Sequence, residues 1–395
     1  MEHIEAHTMK LLGTVPAGIM KSSAVHFQPD DVLYGRLRPY LNKVYRPDFE
    51  GLCSAEFIVF PKTESISSRY LQYFLNSSSF ASYASHLNVG DRPRVDFEQL
   101  SPYPFPVAPF EQQKRIVAEI EKQFSRLDEA VANLKRVKAN LKRYKASVLK
   151  AAVEGKFVSS NPNGWMRTNL GTVLTTIEAG KSFKCEERLP IIREIGVVKV
   201  SAVTWGTYNE EESKTCLDPD RIETRYFVKP GDFLFSRANT IQLVGACVIA
   251  QKVTRKIMLS DKILRFRFSD QVLPQWVLYW LRSDIGRKEI QRLSTGNQES
   301  MRNIGQDRIR QIAFALPNLE EQRTIVAEVE RRLSVIEELE AAVEANLTRA
   351  DRLRQSILSQ AFSGRMVGKD SKGIPDTPPP FSLAAERQAR YGESR

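Results

Sequence analysis

Two stretches of the chain share one pattern of apolar and polar positions. From about 111 to 153 there is no Gly or Pro, and Ala, Leu, Glu, Lys and Arg dominate, all residues that lose little on entering a helix. Pro109 precedes the stretch, Glu111 sits where a helix N-terminus favours an acid, and Gly155 follows as a C-cap. Apolar residues fall at Ile120, Phe124, Leu127, Val131 and Leu134, then at Val137, Leu141, Tyr144 and Val148. That alternation of four and three predicts a coiled-coil seam, and the repeated three from Leu134 to Val137 predicts a local overwinding. The second stretch carries Val329, Leu333, Ile336, Val343, Leu353 and Ile357, with Glu340, Asn346 and Ala350 at the intervening positions and Leu339 and Leu347 flanking. Each helix should be roughly 60 Å long at 1.5 Å per residue. A stripe this narrow predicts helix against helix, since a helix docked on a globular core shows a broader apolar face.

Between the helices the period changes. Short β-rich runs, IGVVKVSAV at 195–203, DFLFSRA at 232–238, GACVIAQKV at 245–253 and ILRFRFS at 263–269, alternate with turn signals such as Pro230-Gly231 and Asp218-Pro219. One amphipathic helix, about Pro274 to Arg292, is expected after them, giving an α+β module of strands first and a helix packed on them.

The pattern is duplicated. EQQKRIVAEIE at 111–121 recurs as EEQRTIVAEVE at 320–330, and the offset of 209 then pairs Ser125 with Ser334, Glu129 with Glu338, Arg143 with Arg352, Leu149 with Leu358 and Gly155 with Gly364. Upstream, PDDVLYGRLR at 29–38 resembles PGDFLFSRAN at 230–239, and YLQYFLNS at 70–77 resembles WVLYWLRS at 276–283. The expected organisation is therefore a first module at 1–109, a helix at 110–158, a second module at 159–318, a helix at 319–367 and a flexible tail at 368–395 containing DTPPPF. Residue 1 aligns near residue 202, so the first copy lacks a counterpart of about 45 residues of the second, including GTVLTTIEAGKSF. Either the first module reads its target poorly or further sequence belongs upstream.

Composition sharpens this picture. The 395 residues carry 58 Lys plus Arg against 47 Asp plus Glu, a net +11 that suggests a polyanionic partner. The surplus resides in the helix at 110–158 (+6) and the second module (+7), against −1 for the first module, −2 for the second helix and +1 for the tail. Opposite signs on the two helices favour their pairing with each other. No run reaches the roughly 18 to 20 apolar residues that span a bilayer and no signal-peptide pattern opens the chain, so the expected location is the cytoplasm, with no membrane. Cys53, Cys185, Cys216 and Cys247 stand singly, and no histidine follows position 86; reduced, buried thiols and no metal site are expected.

In the second module, basic, polar and aromatic residues collect in three expected loops: Lys181 to Lys184 around Phe183, then Arg237, Asn239, Thr240 and Gln242, then Asn297, Gln298, Arg302 and Asn303. Arg, Asn and Gln make bidentate contacts with base edges, while Lys and Ser serve phosphates. Arg36, Arg38, Arg92 and Arg94 are the candidates in the first module. There is no phosphate-binding G-x-x-x-x-G-K-[ST] loop, glycine-rich dinucleotide turn, H-E-x-x-H, G-x-S-x-G or Asn-Pro-Pro-aromatic sequence, so no catalytic residue is assigned.

Two mixed modules, each closed by a run like LPNLEEQRTIVAEVE and a long helix ending in GKFV or GRMV, resemble the specificity subunit of a type I restriction–modification system over about 20–367. PGDFLFSRANTIQLVG at 230–245 and LSDKILRF at 259–266 fall in that family's order. The resemblance implies two target-recognition domains, each reading half of a bipartite site on double-stranded DNA. It implies an antiparallel coiled coil that spaces them and docks two methyltransferase subunits, joined by restriction and translocase subunits. It places N6-adenine methylation with S-adenosylmethionine, and cleavage needing ATP and magnesium, in those partners, with no cofactor bound by this subunit. The alternatives are a coiled-coil scaffold that binds no DNA, and a truncated, partly inactive subunit.

Overall fold

A computed structural model of the chain describes residues 2–16, 18, 23–159 and 161–366; the tail 368–395 lies outside them. The chain divides into two units, Met1–Arg136 with Val343–Arg395, and Val137–Ala342.

In the first unit β1 (Ala24–Phe27), β2 (Val32–Gly35), β3 (Val44–Tyr45), β4 (Gly51–Ser54) and β5 (Phe57–Phe60) form two antiparallel sheets, ordered β1-β4 and β3-β2-β5. Helices α1 (Ser68–Asn76), α2 (Ser78–His86) and α3 (Phe97–Leu100) follow, then α4 (Phe110–Val153) begins. Tyr70, Leu71, Phe74 and Leu75 of α1 recur at helical spacing and are buried in a core with Val32, Tyr34 and Phe60. That core also takes Ile116, Val117, Ile120 and Phe124 from α4 and Ile357, Leu358 and Ala361 from the last helix of the chain.

The second unit has β6 (Met166–Asn169), β7 (Leu174–Ala179), β8 (Cys185–Glu186), β9 (Gly196–Val198), β10 (Ser213–Cys216), β11 (Phe233–Ser236), β12 (Ala238–Asn239), β13 (Cys247–Ile249), β14 (Ile257–Met258) and β15 (Ile263–Phe268). They are followed by α5 (Pro274–Arg282), α6 (Asp284–Leu293), β16 (Thr295–Gln298), β17 (Met301–Asn303), α7 (Gln306–Arg310), β18 (Ala313–Leu316) and α8 (Leu319–Phe362). The sheets run β13-β11-β15-β7, β14-β9-β10-β8, β12-β17-β16 and β18-β6. Through the sequence offsets β3, β2 and β5 match β13, β11 and β15; among the described residues of the first unit nothing pairs with β5 as β7 pairs with β15. In the second unit Arg265, 3% exposed, joins these strands by donating to Asp232 (3.0 Å), Glu178 and the carbonyl of Phe227 (3.0 Å), so its buried charge is both paired and hydrogen-bonded.

Three expectations change. The span 274–292 is two helices, because the Ser283 hydroxyl donates to the carbonyl of Trp280 (2.6 Å) and accepts from the N–H of Gly286 (3.2 Å), ending α5 and capping α6. Ser77 does the same between α1 and α2, donating to Phe74 (2.6 Å) and accepting from Phe80 (3.4 Å). Strands also follow the helices, since 297–303, expected as a loop, lies within the β16–β17 hairpin. And while Cys53 and Cys247 are buried, Cys185 and Cys216 are only half-buried, as free thiols opposite each other across β8 and β10.

The seam keeps a stricter phase than the apolar residues alone predict. In α4, Ile120, Phe124, Leu141 and Val148 are buried and Leu127, Val131 and Leu134 half-buried, but Val137 and Tyr144 are 43% and 45% exposed. The alternation continues through Leu141, Lys145, Val148 and Ala152 without an extra three; Lys145 is half-buried where Tyr144 was expected. In α8, Val329, Ile336, Val343, Ala350 and Ile357 are buried at strict sevens, with Leu333, Glu340, Leu347 and Arg354 half-buried between them. Leu353 is 48% exposed and Asn346 is exposed, so the expected interface residue Leu353 is replaced by Arg354. The reason is its guanidinium, which lies over the Phe124 ring (4.3 Å) and pairs with Asp128, so the charge that enters the seam stays partnered.

Each long helix is tied to its module by a fully buried glutamine. Gln113 accepts from the N–H of Ser67 (2.8 Å) and donates to the carbonyls of Ser65 (3.0 Å) and Ala108 (2.8 Å). Gln322 accepts from the N–H of Leu273 (2.8 Å) and donates to Gln271 (3.1 Å) and Pro317 (2.8 Å). Tyr70 and Trp276, also at matching positions, donate to the carbonyls of Pro106 (2.8 Å) and Ala315 (3.1 Å). The first turn of each helix is thereby locked to the start of α1 or α5 by bonds that leave no buried amide orphaned.

Candidate nucleic-acid interface

The repeat places one arginine at the same corner of both units. In the second, the N–H of Arg237, at the end of β11, donates to the carbonyl of Lys262 (3.0 Å), and its carbonyl accepts from Ile304 (2.9 Å). In the first, Arg36 makes the same two bonds, to the carbonyl of Glu56 (2.9 Å) and from the N–H of Val95 (3.0 Å). A strand end, a second strand's start and the segment before the next helix therefore meet twice in one geometry.

In the second unit this corner gathers the three segments expected as loops. Lys181 bridges to Ser260, two residues before Lys262, and Gly180 permits it: a side chain there would meet the Leu259 carbonyl at 2.0 Å. β12 pairs with β17 so that Asn239 lies opposite Arg302 and Ala238 opposite Asn303, and the N–H of Ile241 donates to the carbonyl of Glu299 (2.8 Å). Gln242, Asn297, Gln298 and Asn303 are exposed, while Arg237, Asn239 and Thr240 are half-buried; among the described residues the Arg237 guanidinium has no hydrogen-bond or ionic partner. Asn239 accepts the N–H of Thr240 (2.8 Å), which orients its side-chain amide.

Two candidates are engaged elsewhere. Arg302 donates to the Gly296 carbonyl (2.6 Å) and to the Ser294 carbonyl (2.8 Å) and hydroxyl (3.1 Å), so it closes the hairpin that carries Asn297 and Gln298 instead of projecting from it. Lys181 is bound to Glu223 (2.7 Å) and lies over Tyr226 (5.5 Å); the Glu223 bond holds its ammonium above the ordinary lysine range. Lys184 is exposed; its backbone N–H donates to Asp218 (2.6 Å) and its carbonyl accepts from the N–H of Leu217 (2.8 Å). Lys262, missed in the sequence, is exposed beside Arg237; its register with Glu56 was the available signal.

The first unit brings its four arginines to the matching corner with a different electrostatic result. Leu37 bridges to Arg94, and the N–H of Arg38 donates to the carbonyl of Pro93 (2.8 Å). Arg94 is paired with Glu56 (2.5 Å), where the second unit has Asn303 and Lys262. Arg38 and Arg92 are exposed, and Arg36 has its Nε buried without a partner among the described residues.

Beneath the second unit's loop, sequence reasoning missed Trp205 and Arg287. Arg287 donates to the carbonyls of Val244 (2.7 Å), Ile241 (3.2 Å) and Gln242 (3.1 Å), and its guanidinium lies 4.1 Å from the centre of the Trp205 ring. Burial pushes it down to about 10, so it remains charged at neutral pH. Among the described residues no cluster of three His, Cys, Asp or Glu could hold a metal ion, and no helix is long and apolar enough to cross a membrane.

The chain, with its duplicated α+β modules each locked to a long helix and presenting polar loops at one corner, is similar to type I restriction enzyme specificity subunits. The chain is 26% identical over 329 residues to the type I restriction enzyme EcoKI specificity subunit of Escherichia coli K12, a match covering 79% of this chain and 68% of that protein. In fold it is similar to a structure described under complex assembly and conformational transition of the type I R-M system (TM-score 0.69, 22% identity, 92% of this chain and 90% of that one). It is likewise similar to the HsdS subunit from Thermoanaerobacter tengcongensis (TM-score 0.53, 24% identity, 92% and 89% covered). No family model matches the chain.

Proposed function

We propose that the chain is the non-catalytic, DNA-reading specificity subunit of a type I restriction–modification complex, directing adenine methylation and restriction to a bipartite site. The similarity to a named specificity subunit along four-fifths of the chain carries this reading. The duplicated corner of exposed polar side chains supports it, because two equivalent readers suit a site in two parts. In the second unit Arg237, Asn239, Thr240, Gln242, Asn297, Gln298 and Asn303 read base edges, and Lys184 and Lys262 neutralise phosphates. In the first, Arg36, Arg38 and Arg92 act on a corner that Glu56 leaves less positive.

The long helices pair as an antiparallel coiled coil. Contacts within each unit support pairing of the helices: Asp128 meets Arg354 in one and Tyr144 meets Arg332 (3.5 Å) in the other. The partners are double-stranded DNA, two methyltransferase subunits that use S-adenosylmethionine, and restriction and translocase subunits that use ATP and magnesium, in the cytoplasm.

Co-expressing the chain with its neighbouring methyltransferase and sequencing the methylated adenines tests the proposal. A two-part motif, absent when the chain is omitted, is expected. No chain-dependent methylation, with no duplex binding at low salt, would instead support the scaffold alternative.

A further inference from the structure

The loop 239–245 of the second unit is held largely through its backbone carbonyls, with Gln242 exposed and Asn239 and Thr240 half-buried. Three of its carbonyls receive the Arg287 guanidinium, and the Gln242 carbonyl also accepts from Trp205 Nε1 (2.9 Å). Gln291 reaches the Ile241 carbonyl (3.5 Å) from one turn further along α6. Gly245 closes the loop at φ +79° with Ile290 packed against it, leaving no room for a side chain (2.5 Å). Trp205 is itself held, with the Arg287 guanidinium over its ring while Arg282 donates to the next carbonyl, that of Gly206 (2.5 Å). The first unit has none of this: the offset that aligns α5 and α6 with α1 and α2 puts Ala81 at Arg287 and Ser85 at Gln291. Its shorter loop ends at Asn42, which donates to the Asn76 carbonyl (3.1 Å).

We infer that Trp205 and Arg287 are positioning residues that set the base selectivity of the second unit by fixing the loop of Asn239, Thr240 and Gln242 before DNA arrives. The inference rests on the reading of that loop as base-contacting. A rigid loop offers its donors and acceptors in one arrangement, so a wrong base pair leaves polar groups unpaired. A loosened loop re-forms around the wrong pair and discrimination falls. Contacts to phosphate come from Lys184 and Lys262, outside the loop, and are indifferent to its rigidity.

The signature is therefore lost selectivity at retained general affinity. Trp205→Phe keeps a smaller aromatic face for Arg287 but loses the five-membered ring and with it the Nε1 bond; Arg287→Lys keeps the charge but cannot reach three carbonyls. The full chain and both variants would be used to select sites from a randomised duplex pool, with melting temperature and affinity for a random duplex measured alongside. The wild type should enrich a motif, and each folded variant should lose about tenfold in preference over single mismatches, with random-duplex affinity within about twofold. Trp205→Phe alone decides the matter if Arg287→Lys fails to fold. Variants that enrich the wild-type motif at undiminished stringency overturn the inference and leave the DNA reading standing. Equal losses of selectivity and random-duplex affinity overturn it too, as general damage. A wild type that enriches nothing overturns the reading of the loop, and the inference with it.

Discussion

At the scale of single residues, the structure separates charged side chains that hold the protein together from those that face outward. Arg302 and Arg237 read alike in sequence, yet one closes a hairpin through three short bonds and the other has no partner among the described residues. Arg188 makes a fork to Glu194 (2.6 and 2.7 Å), and Glu194 also accepts the N–H of Ile191 (2.9 Å), closing an exposed loop. The Arg188 bonds, with the Ile191 N–H second, hold the Glu194 carboxyl down at about 2. Because this lies below the ordinary 4.5, the bonds contribute fully above that value and are lost as pH falls from 4.5 toward about 2. Carboxyl-labelled NMR should find Glu194 still ionised at pH 4 and Arg188→Ala returning its midpoint toward 4.5; an ordinary midpoint in the unmodified chain would refute the fork.

At the scale of elements, the long helices show where a periodic pattern is legible and where it misleads. Their existence, extent and narrow stripe follow from composition and spacing, but the phase of the seam does not follow from apolar residues alone. Arg354 occupies a seam position by laying its guanidinium over Phe124 and Lys145 is half-buried at another, while Val137 and Leu353 turn to solvent. Ile357→Ala should therefore cost about 2–4 kcal/mol in urea unfolding and Leu353→Ala less than about 0.5 kcal/mol. Equal costs would restore the seam drawn from apolar residues alone. The break at Ser283 has a similar origin: a helical apolar face continues across it, and only the hydroxyl's two backbone bonds end the first helix there.

For the whole molecule, the net +11 resolves into unequal parts with unequal consequences. The second module carries +7 and the first −1, and at the shared corner the difference is concrete: exposed Lys262 has no side-chain partner among the described residues, where Glu56 engages Arg94. Replacing Lys184, Arg237 and Lys262 together by Gln should reduce the salt slope of log Kd by about 2, since the two lysine contacts to phosphate contribute about 0.9 each. The same experiment with Arg38→Gln and Arg92→Gln should move it by less than about 2. A slope unchanged by the triple substitution would remove this corner from the DNA-facing surface.

The sequence by itself determined the duplication, the two long helices, the α+β character of each module and the candidate polar segments, because repeats, helical period and turn residues are local signals carried by neighbouring positions. It could not say that residues 181, 237, 262 and 303 converge, since that depends on backbone bonds between segments far apart in the chain. Nor could it tell a guanidinium spent on carbonyls from one left outward, or find Trp205 beneath Gln242. Those outcomes were decided by tertiary structure, where burial favours the pairing of polar groups and each pairing removes a side chain from the surface.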